Sequence, residues 1–176
     1  MRRFSAVLAV AALALAACGS DSDSGGGSVE LSGADQELAD ALSADIVADD
    51  DGLADAFDPD CLAAGTVSVL GGADRIASEY GVTVDNPSTD GVDLSADDAA
   101  KVAASYADCG DLKQAFAVGF TSDGDMTTEQ AECVLEDISS DEIQDMLEET
   151  FQGNDEGPAS DALFEKMFEK FATCAE

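Results

Sequence analysis

Apolar residues recur every three or four positions through most of the chain after residue 30, which is the spacing of one face of an α-helix. A clear example is the stripe of Leu38, Leu42 and Ile46. Other stripes with this period are Ala99, Val102, Ala103 and Tyr106; Leu112, Phe116 and Phe120; Ile143, Met146, Leu147 and Phe151; and Phe164, Met167, Phe168 and Phe171. The pattern predicts an all-α fold of seven or eight short helices.

Residues that favour the first turn of a helix precede several of these stripes. Asp58 and Pro59 fit a helix start with proline in the first turn. Ser95 can cap the helix that follows it, and Thr127 with Gln130 has the form of a capping box. We therefore expect helices to begin near these three places.

Alternating β-branched residues, which are typical of a strand, occur only in the short segments 66–70 and 82–84. Both segments lie beside helical patterns. We interpret the first as part of a helix. The second is predicted to be an extended segment of the long connection between Gly81 and Asp93.

The last helix, which Pro158 introduces, carries Phe164, Phe168 and Phe171 at helical spacing together with Met167. Large apolar side chains are usually buried, so we predict that this stripe belongs to the core. The alternative is an exposed groove that binds a partner.

The chain opens with two arginines and continues with an apolar run from Phe4 to Ala17. This order is typical of a signal peptide, and the run is shorter than the roughly 20 residues that span a bilayer. It ends in Leu15-Ala16-Ala17-Cys18, which resembles the lipobox of bacterial lipoproteins. In that family the cysteine receives a diacylglyceryl group and the chain is cut just before it. The resemblance implies that residues 1–17 are a signal peptide and that Cys18 is lipidated.

The segment from Gly19 to Ser28 contains Gly, Ser and Asp and no apolar residue. It cannot bury surface to offset its ordering entropy, so we expect a flexible linker over residues 18–29. Residues 30–176 then form one acidic helical domain, lipid-anchored at the extracytoplasmic face of the cell membrane. The alternative for the N-terminus is an ordinary secretory signal with a nearby cysteine.

Four cysteines remain when Cys18 is assigned to the lipid: Cys61, Cys109, Cys133 and Cys174. An exported chain meets an oxidising environment, which favours two disulfides, and four cysteines allow three pairings. Zinc is not expected, because the chain has no histidine and the cysteines are not closely spaced.

A weak internal duplication favours one pairing of these cysteines. Each half begins near a cysteine, continues through an amphipathic stretch and a loop, and ends in a helix that closes on a second cysteine. Two pairings respect this repeat: Cys61–Cys109 with Cys133–Cys174, and Cys61–Cys133 with Cys109–Cys174. We favour the first, which closes each unit on itself.

Charge narrows the range of partners. The chain has 7 basic and 39 acidic residues, with a net charge of −32. Nucleic acid is not expected as a partner, because binding phosphates needs a cationic patch. Cations and basic proteins remain as partners, and the acidity can also serve solubility alone.

The sequence offers little catalytic chemistry. Without histidine there can be no Ser-His-Asp or Cys-His arrangement, and phosphate-binding glycine loops are absent. We expect neither an enzyme nor a bound cofactor. Weak candidates for calcium ligands are Asp123, Asp125 and Glu132, but Thr121 and Met126 stand where an EF-hand has its first ligand and its turn glycine. A surface turn is the simpler interpretation.

The domain as a whole resembles uncharacterised acidic helical domains with four cysteines, found on exported proteins of high-GC bacteria. The resemblance lies in helix starts of the form Asp-x-x-Cys and caps of the form Leu-Ser-x-Asp, and it implies no known activity. We expect a cell-envelope lipoprotein that acts as a non-enzymatic interaction or spacer module, with an envelope protein as partner. The alternative is a lipoprotein that binds calcium or a small ligand.

Overall fold

The computed structural model describes residues 30–48, 53–122 and 126–174. Within these ranges the chain forms helices and no strand, so the predicted all-α fold is confirmed. The helices are α1 (Ala34–Ala48), α2 (Leu53–Ala56), α3 (Pro59–Val69), α4 (Ala73–Tyr80), α5 (Ala96–Cys109), α6 (Leu112–Ser122), α7 (Thr128–Val134), α8 (Ser140–Phe151) and α9 (Pro158–Cys174). The shortest, α2, is a single turn.

The predicted starts of α3 and α5 are confirmed. The Asp58 carboxylate accepts a hydrogen bond from the N–H of Cys61 at 3.2 Å, and Pro59 is the first residue of α3. The Ser95 hydroxyl accepts from the N–H of Asp98 at 3.3 Å. Each side chain satisfies N–H groups that the first turn of a helix leaves without a partner.

Capping boxes begin α7 and α8. The predicted box of Thr127 and Gln130 is present, with reciprocal bonds of 3.3 and 3.0 Å. A second box, formed by Ser139 and Glu142, is present at the start of α8 and was not predicted. Both boxes are local pairs three residues apart, so the second was readable from the sequence.

The two segments with alternating β-branched residues lie where we expected them. Residues 66–69 are the last turn of α3, and residues 82–84 lie in the loop between α4 and α5. In that loop Thr83 and Asn86 exchange backbone hydrogen bonds of 3.1 and 3.0 Å as an isolated bridge.

Two disulfides close two three-helix units. Cys61–Cys109 joins α3 to α5, and Cys133–Cys174 joins α7 to α9, with Cα–Cα distances of 5.6 and 5.9 Å. The favoured pairing is confirmed, and the element order shows the predicted duplication. The units meet where α5 packs against α8, while α1 packs on α3, and α6 contacts α7 and α8.

Two clusters of buried apolar side chains form the core. The first draws mainly on α6 to α9 and includes Leu112, Val134, Ile138, Ile143, Met146, Leu163 and Met167. The second draws mainly on α1, α3 and α4 and includes Leu38, Leu42, Ala63, Val67, Leu70 and Ile76. The Tyr106 ring packs against both, with its centre 5.7 Å from that of Phe57 and 5.3 Å from that of Phe151. It therefore joins the two clusters.

Two helices are capped by carboxylates from other helices. Asp35 of α1 accepts the N–H of Ala73 at 2.7 Å and so caps α4. Gly72 permits this approach, because it has a φ of 94° and a Cβ there would lie 2.8 Å from Asp35 Oδ1. Glu149 of α8 likewise accepts the N–H of Ser160 at 2.9 Å in α9. Burial tends to raise the pKa of Glu149, but hydrogen bonds from the start of α9 outweigh it and the pKa is lowered.

Replacing Cys61 and Cys109 together by serine should lower the free energy of unfolding by about 4 kcal/mol, because a 48-residue loop would no longer be closed in the unfolded chain. The double replacement of Cys133 and Cys174, whose separation is 41 residues, should cost a similar amount. Urea unfolding followed by circular dichroism measures both. An unchanged unfolding midpoint in either variant would contradict the expectation.

Candidate functional site

A cavity of about 240 Å³ lies within the second apolar cluster. Leu42 of α1, Ile76 of α4 and Val102 of α5 form part of its wall, and all three are buried. Val92 and Leu94 of the loop between α4 and α5 also line it. Protein interiors contain few voids larger than a water molecule, so this space is large for a packing defect.

The polar side of the cavity is acidic. Asp45 of α1 and Asp90 of the loop bring carboxylates to it, and Thr66 and Thr89 bring hydroxyl groups. Asp90 is exposed and Asp45 is half-buried, so the acidic side faces solvent while the apolar side faces the core. Neither lysine nor arginine occurs among the described residues that line the cavity.

An ion pair between the buried Asp98 and the partly exposed Arg75 fixes the α4 wall of the cavity. The Asp98 carboxylate, on a residue that is 1% exposed, accepts hydrogen bonds from the Arg75 guanidinium at 2.5 and 3.2 Å. It also accepts from the Tyr80 hydroxyl at 2.6 Å and from Lys101 Nζ at 3.1 Å. Arg75, followed by Tyr80, holds the pKa of Asp98 well below its ordinary range, although burial acts in the opposite direction. Since Ile76 and Tyr80 both line the cavity, the pair holds α4 in position there.

The role of Asp98 had no local signature in the sequence. Asp97 and Asp98 both lie in the first turn of α5, where an acidic residue is explained by the helix dipole. Asp97 is exposed and Asp98 is buried. Asp98 is distinguished by its partners on α4, Arg75 and Tyr80, which sequence spacing does not reveal, together with the nearby Lys101.

The prediction that the phenylalanines of α9 belong to the core is wrong. Phe164, Phe168 and Phe171 are 44%, 74% and 40% exposed, and we call them the aromatic stripe. Leu163 and Met167 are buried instead, at 2% and 4%. The helix has apolar residues on two adjacent faces, and only the face of Leu163 and Met167 packs against the first cluster. The aromatic stripe is therefore accessible to another molecule.

An acidic edge, made of Asp161, Glu165 and Glu169, borders the aromatic stripe. All three residues are exposed. Asp161 precedes Phe164 by three positions and Glu165 precedes Phe168 by three, so these acids are surface neighbours of the aromatic rings. The exposed part of α9 thus combines apolar surface with negative charge.

The lysines of α9 are paired with acids outside the helix. Lys166 pairs with Glu142 and, with help from Ser139, lowers the pKa of Glu142 to about 2. Lys170 Nζ lies 2.5 Å from Asp137 Oδ2 and lowers the pKa of Asp137. These contacts direct both cations toward α8 and the turn before it, away from the acidic edge.

The other predicted site residues are not brought together by the described structure. Cys18, Asp123 and Asp125 lie outside the described residues, and Glu132 is exposed on α7. Among the residues with described positions, no group of three or more His, Cys, Asp or Glu side chains could hold a metal ion. No helix over the same residues has both the length and the apolar character needed to cross a membrane.

No protein-family model, curated protein or solved structure matches this chain.

Replacing Asp98 by asparagine should lower the free energy of unfolding by about 2 kcal/mol, because the charge-assisted hydrogen bonds to the buried Asp98 carboxylate are weakened. The loss is no larger because Arg75 is partly exposed and keeps its contact with Glu79 at 2.8 Å. The folded pKa of Asp98 lies below the unfolded value of about 4, so its contribution is complete above that pH and is lost as the pH falls toward the folded pKa. The difference in unfolding free energy between wild type and variant should therefore shrink below about pH 4.

The matched control is Asp97→Asn, which changes an exposed neighbour in the same turn. Urea unfolding at a series of pH values measures both variants. Equal and small effects of the two substitutions at neutral pH would contradict a structural role for Asp98.

Proposed function

We propose that this protein is a lipid-anchored, non-enzymatic interaction module of the cell envelope. The observation that carries this proposal is the aromatic stripe on α9, whose members Phe164, Phe168 and Phe171 are exposed beside an acidic edge. Exposed apolar patches rimmed by polar residues mark protein–protein interaction sites when they are contiguous and large.

The spacing of the stripe fits an elongated apolar partner. Phe164, Phe168 and Phe171 follow one another at four and three residues, so they form a line along one face of α9. Aromatic side chains contribute large contact areas with few rotatable bonds, which makes them effective binding groups. A partner helix with its own apolar stripe can lie along this line.

Charge complementarity selects a cationic partner. Asp161, Glu165 and Glu169 are all exposed beside the stripe, while Lys166 and Lys170 are engaged with acids elsewhere. A basic amphipathic helix would place its apolar face on the phenylalanines and its cations on the acidic edge. The proposed partner is therefore a cationic amphipathic helix of another exported protein.

The N-terminal sequence supports a position close to the membrane. The lipobox-like run ending at Cys18 supports lipidation, and residues 18–29 would then connect the lipid to the domain. A flexible linker of that length has an average end-to-end distance of about 20 Å. The linker would confine the domain to a thin layer outside the membrane. This confinement raises the effective concentration at which the domain meets other envelope proteins.

Calcium binding stays a prediction. Its candidate ligands Asp123 and Asp125 lie outside the described ranges, and Glu132 is a single exposed acid.

Replacing both Phe164 and Phe168 by serine should abolish preferential binding of a cationic amphipathic helix. The probe is a labelled helical peptide of leucine and lysine, about 15 residues long, and its comparator is a scrambled peptide of the same composition. Fluorescence anisotropy should show the ordered peptide binding the wild-type domain at least about tenfold more tightly. Phe168 is 74% exposed, so its replacement should change the free energy of unfolding by no more than about 0.5 kcal/mol.

The matched control is Val84→Ser, which removes another exposed apolar side chain, 47% exposed, from the loop between α4 and α5. The variant Glu165→Gln with Glu169→Gln should weaken binding and reduce its dependence on salt. Equal binding of ordered and scrambled peptides by the wild type would mean that only general acidity attracts them, and the proposal would fail.

Replacing Cys18 by serine should remove the protein from the membrane fraction, because no thioether to a diacylglyceryl group can form. The wild-type chain should partition into a detergent phase, and mass spectrometry of its N-terminal peptide should show the lipid on Cys18. Ser20→Ala, two residues away in the linker, is the control. The proposed anchor would be wrong if the serine variant partitioned like the wild type.

A further inference from the structure

From the cavity in the second apolar cluster, we infer that this domain also binds a small apolar molecule that carries a protonated amine. The cavity brings a buried apolar wall and two carboxylates to one space, with Asp45 and Asp90 supplying the charge. The residues that line it belong to α1, α3, α4, α5, the loop before α5 and the end of α8, and none to α9. This site is therefore separate from the aromatic stripe.

The size of the cavity limits the ligand. A cavity of 150 Å³ lined by apolar side chains is enough for benzene. The 240 Å³ present here would take a molecule of about ten non-hydrogen atoms on that scale. A chain or ring of that size fits, and a lipid with two long acyl chains does not.

The apolar wall determines which part of the ligand enters the core. Leu42 and Val102 are buried at 5% and 3% exposure, and Ile76 at 2%. Burying an apolar group against them removes surface from water on both sides, which is the main source of affinity in such pockets. Filling the space also restores contacts that an empty cavity lacks.

The carboxylates determine the charge of the other end. Asp45 is half-buried on α1 and Asp90 is exposed on the loop, so a ligand whose tail reaches the core has its head beside them. No cation from the described lining residues neutralises this side. Arg75 on α4 and Lys101 on α5 are the described cations nearest in sequence to the cavity wall. Both are hydrogen-bonded to Asp98. An anionic head would be repelled, while an ammonium group would find two acceptors.

The backbone around the cavity is held in place before any ligand enters. The Tyr80 hydroxyl donates to the buried Asp98 carboxylate at 2.6 Å, so the ring is positioned at the cavity wall. Cys61–Cys109 ties α3 to α5, which carry Thr66 and Val102 on the lining. A site formed in advance loses less entropy on binding than one that must order first.

The experiment compares octylamine, 1-octanol and octanoate, which share an eight-carbon chain and differ in the charge of the head group. Titration of the domain is followed by NMR chemical shifts and by the melting temperature. Octylamine should bind at least about tenfold more tightly than octanol, with octanoate the weakest, and should raise the melting temperature. The largest shifts should fall on cavity residues such as Ile76 and Val102.

Asp45→Asn should reduce the preference for octylamine over octanol several-fold. Asp40→Asn removes an exposed carboxylate from the same helix outside the cavity, and it should leave the preference unchanged. Val92→Phe, which adds bulk from the loop, should weaken binding of both ligands. If that variant does not fold, the comparison of Asp45→Asn with Asp40→Asn still decides the question.

Two results would overturn the inference. Equal affinities for octylamine and octanol, unaffected by Asp45→Asn, would assign the cavity to neutral apolar molecules. Chemical-shift changes spread over the acidic surface, with equal effects of Asp40→Asn and Asp45→Asn, would mean that the amine responds only to general charge.

Discussion

Two disulfides hold in place the helices that form the two candidate sites, the cavity and the aromatic stripe. Cys61–Cys109 ties α3 to α5, and these helices supply part of the cavity wall through residues such as Thr66 and Val102. Cys133–Cys174 ties the last turn of α9 to α7. That cross-link lies on the same side of α9 as the buried Leu163 and Met167, and it leaves the aromatic stripe facing outward. A domain of this size can form a core without cross-links. We therefore infer that the disulfides also fix the orientation of the helices.

Polar contacts between different helices complete the arrangement. Asp35 caps α4 from α1, and Glu149 caps α9 from α8. Asp98 holds Arg75 and Tyr80 of α4 against the first turn of α5. In a chain with a net charge of −32, each of these carboxylates is stabilised by a specific donor. The scarce cations are used in the same way, since Lys166 and Lys170 fasten α9 to the acids of the preceding turn and helix.

The two candidate sites differ in form, since one is a surface and the other is a cavity. The aromatic stripe is a line of exposed rings on one helix and is open along its length. The cavity lies within the other apolar cluster and is bounded by α1, α3, α4, α5, the loop before α5 and the end of α8. Tyr106 contacts both clusters, so occupancy of the cavity would act on side chains that also pack against the core of the second unit.

Local features of the fold were predictable because they depend on residues three or four positions apart. The helices and the caps at Asp58, Ser95 and Thr127 follow from such spacing. The disulfide pairing is not local, and it was favoured because of the internal repeat. The orientation of α9 was not predictable. Leu163 with Met167 and Phe164 with Phe168 form two apolar faces, and periodicity does not indicate which of the two is buried. The cavity and the Asp98 ion pair also escaped prediction, since both join segments far apart in sequence.

The central claim is that this chain is an exported domain whose helices are cross-linked in two separate units. It is tested most directly by the oxidation state of the four cysteines in protein recovered from intact cells under conditions that block thiols. Non-reducing peptide mapping should find the peptides of Cys61 and Cys109 linked, those of Cys133 and Cys174 linked, and no blocked thiol at any of the four. Blocked thiols at these positions in most of the protein would contradict both the cross-linked units and the proposed export.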